Sequence, residues 1–401
     1  MSGRRIPLGL CSTSCARPGE EVVAAERVRV DAFYPDQLVV RSDEDWELLK
    51  IGGDGEPWHL ASDRTGVLGT VRLDPWPPVL ELGSMVYVRA RYRGRRRSGG
   101  LLEACLLGTT EMTSPEVPWS DAAWAGGLSS IPSTLGGVRP NEVVTLRFEP
   151  RAHERFVPGL EVEDPTYWVI RDVRIGGSSL LADTGDLPAE MFSGDPLLRP
   201  PLGLVVPGSE VEVDAVYIGP RERADLACSL CGPVVLDGGD DEVLASFGGV
   251  PALMSLSSGV PIYPRSMGQL TGWVRGWRSV PGDLASAGHA FRPERFVIRD
   301  ADDWTIGDLK VGVVSQLAGC SDIPGTIFAR DVVGSLRLAP VRRRDSLSLT
   351  ATYVGPEING ALLICGVAGV MVPPLTDDTE RKLDLQASGK REQSLAVPNK
   401  T

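Results

Sequence analysis

The chain has 401 residues and a formal net charge of −12, with 46 glycines, 32 prolines and 23% charged residues. That acidity disfavours a general nucleic-acid binder, which would carry a basic footprint. No apolar run reaches the roughly 18 residues that a membrane-crossing helix needs. The opening MSGRRIPLGLCSTSCARPGE is too polar for a secretory signal, and seven cysteines, an odd number, point to free thiols in a reducing compartment. A cytoplasmic location, or one within an assembled particle, is therefore expected.

Short Val/Leu/Ile runs between turn residues predict an all-β chain. The first is Val28–Phe33 (VRVDAF), whose alternation buries one face. Phe33-Tyr-Pro then leads to Trp46 and the strand WELLKIG. Glu56-Pro-Trp-His-Leu60 follows, and then Val71–Trp76. Met85–Tyr92 (MVYVRARY) alternates strictly and ends in Tyr-x-Gly at Gly94, ahead of an apolar strand with Cys105.

The same series returns twice, and self-similarity at a fixed period outranks any local reading. Phe148-Glu-Pro opens a second copy, followed by Trp168–Gly176 (WVIRDVRIG), Asp186–Phe192 (DLPAEMF), Val211–Tyr217, Gly219 and Cys228. The third copy begins at Phe291, in FRPERFVIRDADDWTIGDLKV, and passes through Trp304, Asp322–Phe328 (DIPGTIF), Leu347–Tyr353, Gly355 and Cys365. Trp168 to Tyr217 and Trp304 to Tyr353 each span 49 residues, and Trp46 to Tyr92 spans 46. Ile6-Pro7 and Pro18–Val22 match Ile131-Pro132 and Arg139–Val143, with a looser counterpart near Pro261-Ile262. In the first copy, Glu56–Leu60 fills the place of the Leu-Pro or Ile-Pro segment.

This predicts three tandem β-sandwich modules, jelly-roll-like, over residues 1–125, 126–255 and 256–376, joined by extended linkers and followed by a disordered charged tail, 377–401. Trp119–Leu128 and Val250–Val260 read as apolar linkers able to cover a neighbouring surface.

Candidate sites are few. Trp46, Trp168 and Trp304 recur at one register, which suits core packing better than a ligand platform. Tyr92, Tyr217, Tyr353, Cys105, Cys228 and Cys365 join them as expected repeat core. Acids precede each tryptophan (Asp43, Glu44, Asp45; Glu163, Asp164; Asp300, Asp302, Asp303), fitting calcium ligands or solvated turns. Cys228 and Cys231, with Cys11 and Cys15, could form a four-thiolate zinc site. Residues three apart on a strand face opposite ways, however, so inert thiols are expected. His59, His153 and His289 fall in no catalytic pattern. Neither a nucleophile elbow nor a P-loop is present, and the glycine-containing turn Asp237–Glu242 is acidic.

The basic groups Arg95, Arg96, Arg97 and Arg342, Arg343, Arg344, with Trp273 and Trp277, are the candidate partner-docking residues. No catalytic residue, metal or cofactor is expected. The expected function is a non-enzymatic structural subunit that self-assembles or docks onto another structural protein, shell-like, capsid-like or appendage-like. A carbohydrate- or ligand-binding module array and an enzyme with an inter-module site are the alternatives. Jelly-roll capsid proteins resemble these modules in size and β-richness, an analogy of architecture alone.

Overall fold

A tryptophan opening one strand faces a tyrosine closing its neighbour in every copy. Trp46 registers with Tyr92, Trp168 with Tyr217 and Trp304 with Tyr353. Their ring centroids lie 5.0, 5.2 and 5.0 Å apart at tilts of 57°, 49° and 54°, within the range aromatic pairs favour. The glycine two residues on is required by the tyrosine ring. A Cβ at Gly94, Gly219 or Gly355 would stand 2.3, 2.4 or 2.5 Å from the phenol oxygen of Tyr92, Tyr217 or Tyr353. Each tryptophan strand also carries a bulge at one position, after Leu48, Ile170 and Ile306.

The acids before the tryptophans have a backbone explanation. Ser42, Asp164 and Asp300 adopt φ of 50°, 49° and 49°, a left-handed conformation that short polar residues tolerate best. Each is followed by a single 3-10 turn, at Asp43–Asp45, Pro165–Tyr167 and Ala301–Asp303.

The computed structural model describes residues 5–58, 70–72, 79–95, 99–110, 128–150, 155–181, 185–193, 199–234, 249–273, 290–329, 336, 338–342, 345–356 and 359–372. Module 1 comprises β1 (Arg5–Cys11), β2 (Glu21–Arg27), β3 (Ala32–Val40), β4 (Trp46–Gly53), β5 (Glu56–Trp58), β6 (Thr70–Arg72), β7 (Leu80–Glu81), β8 (Met85–Tyr92) and β9 (Glu103–Thr109). One antiparallel sheet runs β1-β9-β3-β6, with β7 also on β3, and the other runs β2-β8-β4-β5. The chain crosses from one sheet to the other at every step except within β4–β5 and β6–β7, the order of an eight-stranded jelly roll.

Module 2 comprises β10 (Leu128–Val138), β11 (Val143–Phe148), β12 (Gly159–Val162), β13 (Trp168–Ile175), β14 (Ser178–Ser179), β15 (Leu187–Pro188), β16 (Val211–Tyr217) and β17 (Ala224–Pro233). Module 3 comprises β18 (Val250–Ser257), β19 (Met267–Trp273), β20 (Ala290–Ile298), β21 (Trp304–Val311), β22 (Val314–Ser315), β23 (Ile323–Pro324), β24 (Ser346–Tyr353) and β25 (Ile364–Val372). Their sheets repeat the order: β10-β17-β12 with β11-β16-β13-β14, and β18-β25-β20 with β19-β24-β21-β22. Isolated bridges, Phe156 to Val205 and Phe291 to Val341, stand where module 1 has β7. Among the described residues there is no α-helix, hence no helix long and apolar enough to cross a membrane.

Pairing corrects several sequence matches. The second copy's Phe-x-Pro is Phe156-Val-Pro158, whose Phe156 bridges as Phe291 does, whereas Phe148 closes β11. Glu56–Trp58 pairs with the far end of β4 as β14 pairs with β13, so it is not the counterpart of the Leu-Pro segment. The Arg41, Glu163 and Arg299 amides donate to the carbonyls of Glu103, Ala227 and Ile364. Cys228 and Cys365 directly follow those acceptors, but Cys105 comes one residue later and faces the other side of its sheet. Pro132 is paired one residue from Cys228's partner, so it matches Gly9 rather than Pro7. Val250–Ser257 is no linker but an edge strand of module 3's own sheet, so a division at 255/256 would cut it. Trp119 and the tail 377–401 lie outside the described residues.

Candidate interaction site between modules

The modules touch through one arrangement used twice. In module 3 the segment Ser321–Pro324 pairs Pro324 and Ile323 with β21 and then enters the 3-10 turn Gly325–Phe328. A proline at such an edge costs the sheet no donor. The outward side of this segment rests on β1 and β9 of module 1. In module 2 the equivalent Gly185–Pro188, followed by the turn Ala189–Phe192, rests on β18 and β25 of module 3. These are the same two strands in repeat terms. The spatial order is thus module 2, module 3, module 1, although the chain order is 1, 2, 3.

The receiving face is shaped for close approach. At Gly9 a Cβ would lie 2.5 Å from the Asp322 carbonyl oxygen and 2.6 Å from that of Ser321. At Gly366 it would lie 2.7 Å from Met191 Sδ and 3.0 Å from Pro188 Cδ. Around Gly9 the outward residues Pro7, Val39, Cys105 and Leu107 are buried; around Gly366 so are Leu253, Ser255, Val297 and Ala368. Leu253, Val297 and Ala368 pack into the hydrophobic cluster of module 2 rather than that of their own module.

Polar contacts fix the register. Arg41, at the end of β3, reaches module 3: its Nη2 donates to the Asp302 carbonyl at 2.9 Å and to that of Trp304, and its Nη1 donates to Thr305 Oγ1 at 3.1 Å and pairs with Glu103. Arg299, at the same place after β20, donates to the Thr166 carbonyl of module 2 at 2.8 Å. Asp302 and Thr166 occupy the same position of their 3-10 turns. Backbone bonds join in: Ala318 N to Pro7 O at 2.8 Å, Arg29 N to Ala318 O at 2.7 Å, and Leu253 N to Leu180 O at 2.9 Å. Side chains add Ser321 to Glu26, and Ser255 to the Asp186 carbonyl.

Among the described residues, no strand of another module packs on the third copy of this face, in module 2, and its chemistry differs at every key position. Glu163 replaces the arginine and is exposed; Glu161 replaces Val39 and Val297; Ser229 and Cys231 replace Cys105 and Leu107. Glu161 accepts from Arg199 at 2.9 Å and from Ser229 at 3.2 Å, and Ser130 Oγ lies 3.3 Å from the Cys231 sulfur. Terminal repeats in stacked proteins carry polar outer faces of this kind. The docking residues escaped the sequence reading, yet a signal existed. β9 and β25 carry unbroken apolar runs (ACLLG and ICGVAGVMV), which marks a sheet buried on both faces, while LACSLC in β17 is interrupted by Ser229.

The residues singled out in the sequence distribute as follows. Trp46, Trp168 and Trp304 are buried, with Tyr92, Tyr217 and Tyr353. Cys105, Cys228 and Cys365 are buried free thiols. Burial pushes Cys105 and Cys365 up and Cys228 up to about 12, Glu163 adding to the last. Cys11 and Cys15 are also free, and no cluster able to hold a metal occurs among the described residues. Arg95 is exposed and Arg342 half-buried. Trp273 ends β19 opposite Ser346. Arg96, Arg97, Arg343, Arg344, Trp277, His59, His153, His289 and the Asp237–Glu242 turn lie outside the described residues.

No protein-family model and no curated protein sequence matches the chain. Among solved structures it shows similarity to a chain from the atomic structure of Sulfolobus Turreted Icosahedral Virus, with 9% identity, 90% of this chain and 86% of that one covered, and a TM-score of 0.19. It also shows similarity to a putative membrane anchored protein from Corynebacterium diphtheriae, with 10% identity, 93% and 90% covered, and a TM-score of 0.11.

Proposed function

We propose that the chain is a non-enzymatic structural subunit that assembles with copies of itself or docks into a larger structure. The observation that carries this reading is the docking contact built twice within one chain, with a glycine, a buried apolar face and an arginine committed to it each time. Within the chain these contacts are heterologous, each joining unlike faces of two modules. A ligand-binding array would place an exposed aromatic at one register of every module. The exposed tyrosines among the described residues, Tyr167 and Tyr263, stand at unrelated positions. Negative-stain microscopy of the purified chain and of its native extract tests the proposal: multi-subunit or partner-bound particles support it, and isolated single chains in both rule it out.

A further inference from the structure

The repeat provides an internal control for surface chemistry. At one end of module 3, Val260, Tyr263, Met267, Val354 and Leu362 are 65%, 59%, 73%, 48% and 47% exposed. They belong to one connected tip. Ile262 bridges Ala361, Arg265 N donates to Tyr353 O at 2.9 Å, and Met267 registers with Thr352.

Their counterparts in module 1 follow from shared hydrogen bonds. Ser12 caps the Ser14 carbonyl as Ser258 caps that of Val260, and Gly19 N donates to Tyr92 O as Arg265 N does to Tyr353 O. The five positions therefore match Ser14, Arg17, Glu21, Arg93 and Leu101. Module 1 is salt-bridged there, with Glu21 to Arg89 and Arg91 and Glu47 to Arg93. At three of the five positions, Arg17, Glu21 and Arg93, module 3 has exchanged charge for exposed apolar surface, and at a fourth Val260 replaces Ser14, while Leu101 and Leu362 are alike; such a patch on a water-facing fold marks an interaction surface.

We infer that this tip is a two-fold contact with a second copy of the chain. The inference rests on the self-assembly reading above and names its surface. Three observations favour a second copy as occupant. At −12 the chain repels its copies over most of its surface, whereas the tip's one described charge is Arg265, which is positive and exposed. Beside the tip stands an acidic turn: Val354 N donates to Asp303 O at 2.8 Å, and Asp300 and Asp302 are exposed. A two-fold axis through the tip sets each Arg265 against the other copy's acids, as an isologous contact allows. The head-to-tail alternative meets Glu163 and Glu161 on module 2, carboxylates where docking needs a hydrogen-bond donor and an apolar side chain.

The test is light scattering on the full chain after size exclusion, comparing wild type with Tyr263→Arg/Met267→Glu, which installs the residues module 1 carries there. Met267→Glu alone guards against loss of fold, and Val143→Glu, the matching change in module 2, is the control. Wild type and the control should run at twice 43.0 kDa or a larger even multiple. The double variant should break that contact with at least ~100-fold weaker association, and Met267→Glu should weaken it in the same direction. Unchanged assembly in both tip variants overturns the two-fold contact and leaves self-assembly standing. A wild type that is monomeric throughout overturns both.

Discussion

Replacing Arg41 with alanine removes the side chain that holds module 1 against module 3. Its side chain is 13% exposed and that of its partner Glu103 20% exposed. The substitution strands the Trp304 carbonyl, the Thr305 hydroxyl and the Glu103 carboxylate, while water recovers the exposed Asp302 carbonyl. Breaking a buried charged pair costs about 3–5 kcal/mol, and partial access to water lowers this to about 2–4 kcal/mol. The undocked population should rise roughly 30- to 900-fold. Cys105 reads this directly, because it faces module 3 and reaches solvent only when the modules part, whereas Cys365 points into its own module's core. Native-state alkylation followed residue by residue should speed up at Cys105 by the stated factor and leave Cys365 unchanged. Arg299→Ala, which loses one described carbonyl contact, should cost about 1–2 kcal/mol at the other junction. Unchanged Cys105 labelling in Arg41→Ala, or equal acceleration at Cys105 and Cys365, would refute the docking role.

Three further outcomes follow from the same geometry. Gly9→Ala forces a methyl onto two backbone oxygens and should weaken the module 1 junction by about 1–3 kcal/mol, again read at Cys105. Gly219→Ala, which drives a methyl into the Tyr217 phenol, should lower the melting temperature with about 1–3 kcal/mol of destabilisation. Asp322 sits at the junction with its carboxyl held above the usual range by burial and by the Glu103 charge. A raised carboxylate contributes stability that is present at acid pH and lost as pH rises through the raised value. Asp322→Asn should therefore slow Cys105 labelling at neutral pH and converge with wild type in acid; faster labelling at neutral pH would contradict this.

The sequence announced its packing units more plainly than its interfaces. Trp304, Tyr353 and Gly355 are legible because the ring pair and the glycine beneath the phenol admit few substitutes, so all three copies keep them. Phe148 was mistaken for the opening of a copy because Phe-x-Pro occurs twice within ten residues, at Phe148 and Phe156, and only bridging distinguishes them. Cys105 slipped by one residue because β9 is buried on both faces and shows no alternation to set its register. The docking arginines were invisible for a different reason: Arg41 and Arg299 bond backbone carbonyls of another module, and a carbonyl leaves no trace in side-chain identity. Glu163 then looked like one more turn acid rather than the substitution that makes module 2's face unlike the other two.

Sedimentation velocity of the 401-residue chain across a wide concentration range tests the central claim most directly. The account predicts species at multiples of 43.0 kDa that grow with concentration. A single 43.0 kDa species at every concentration, with no larger partner-bound form in its native extract, would contradict it.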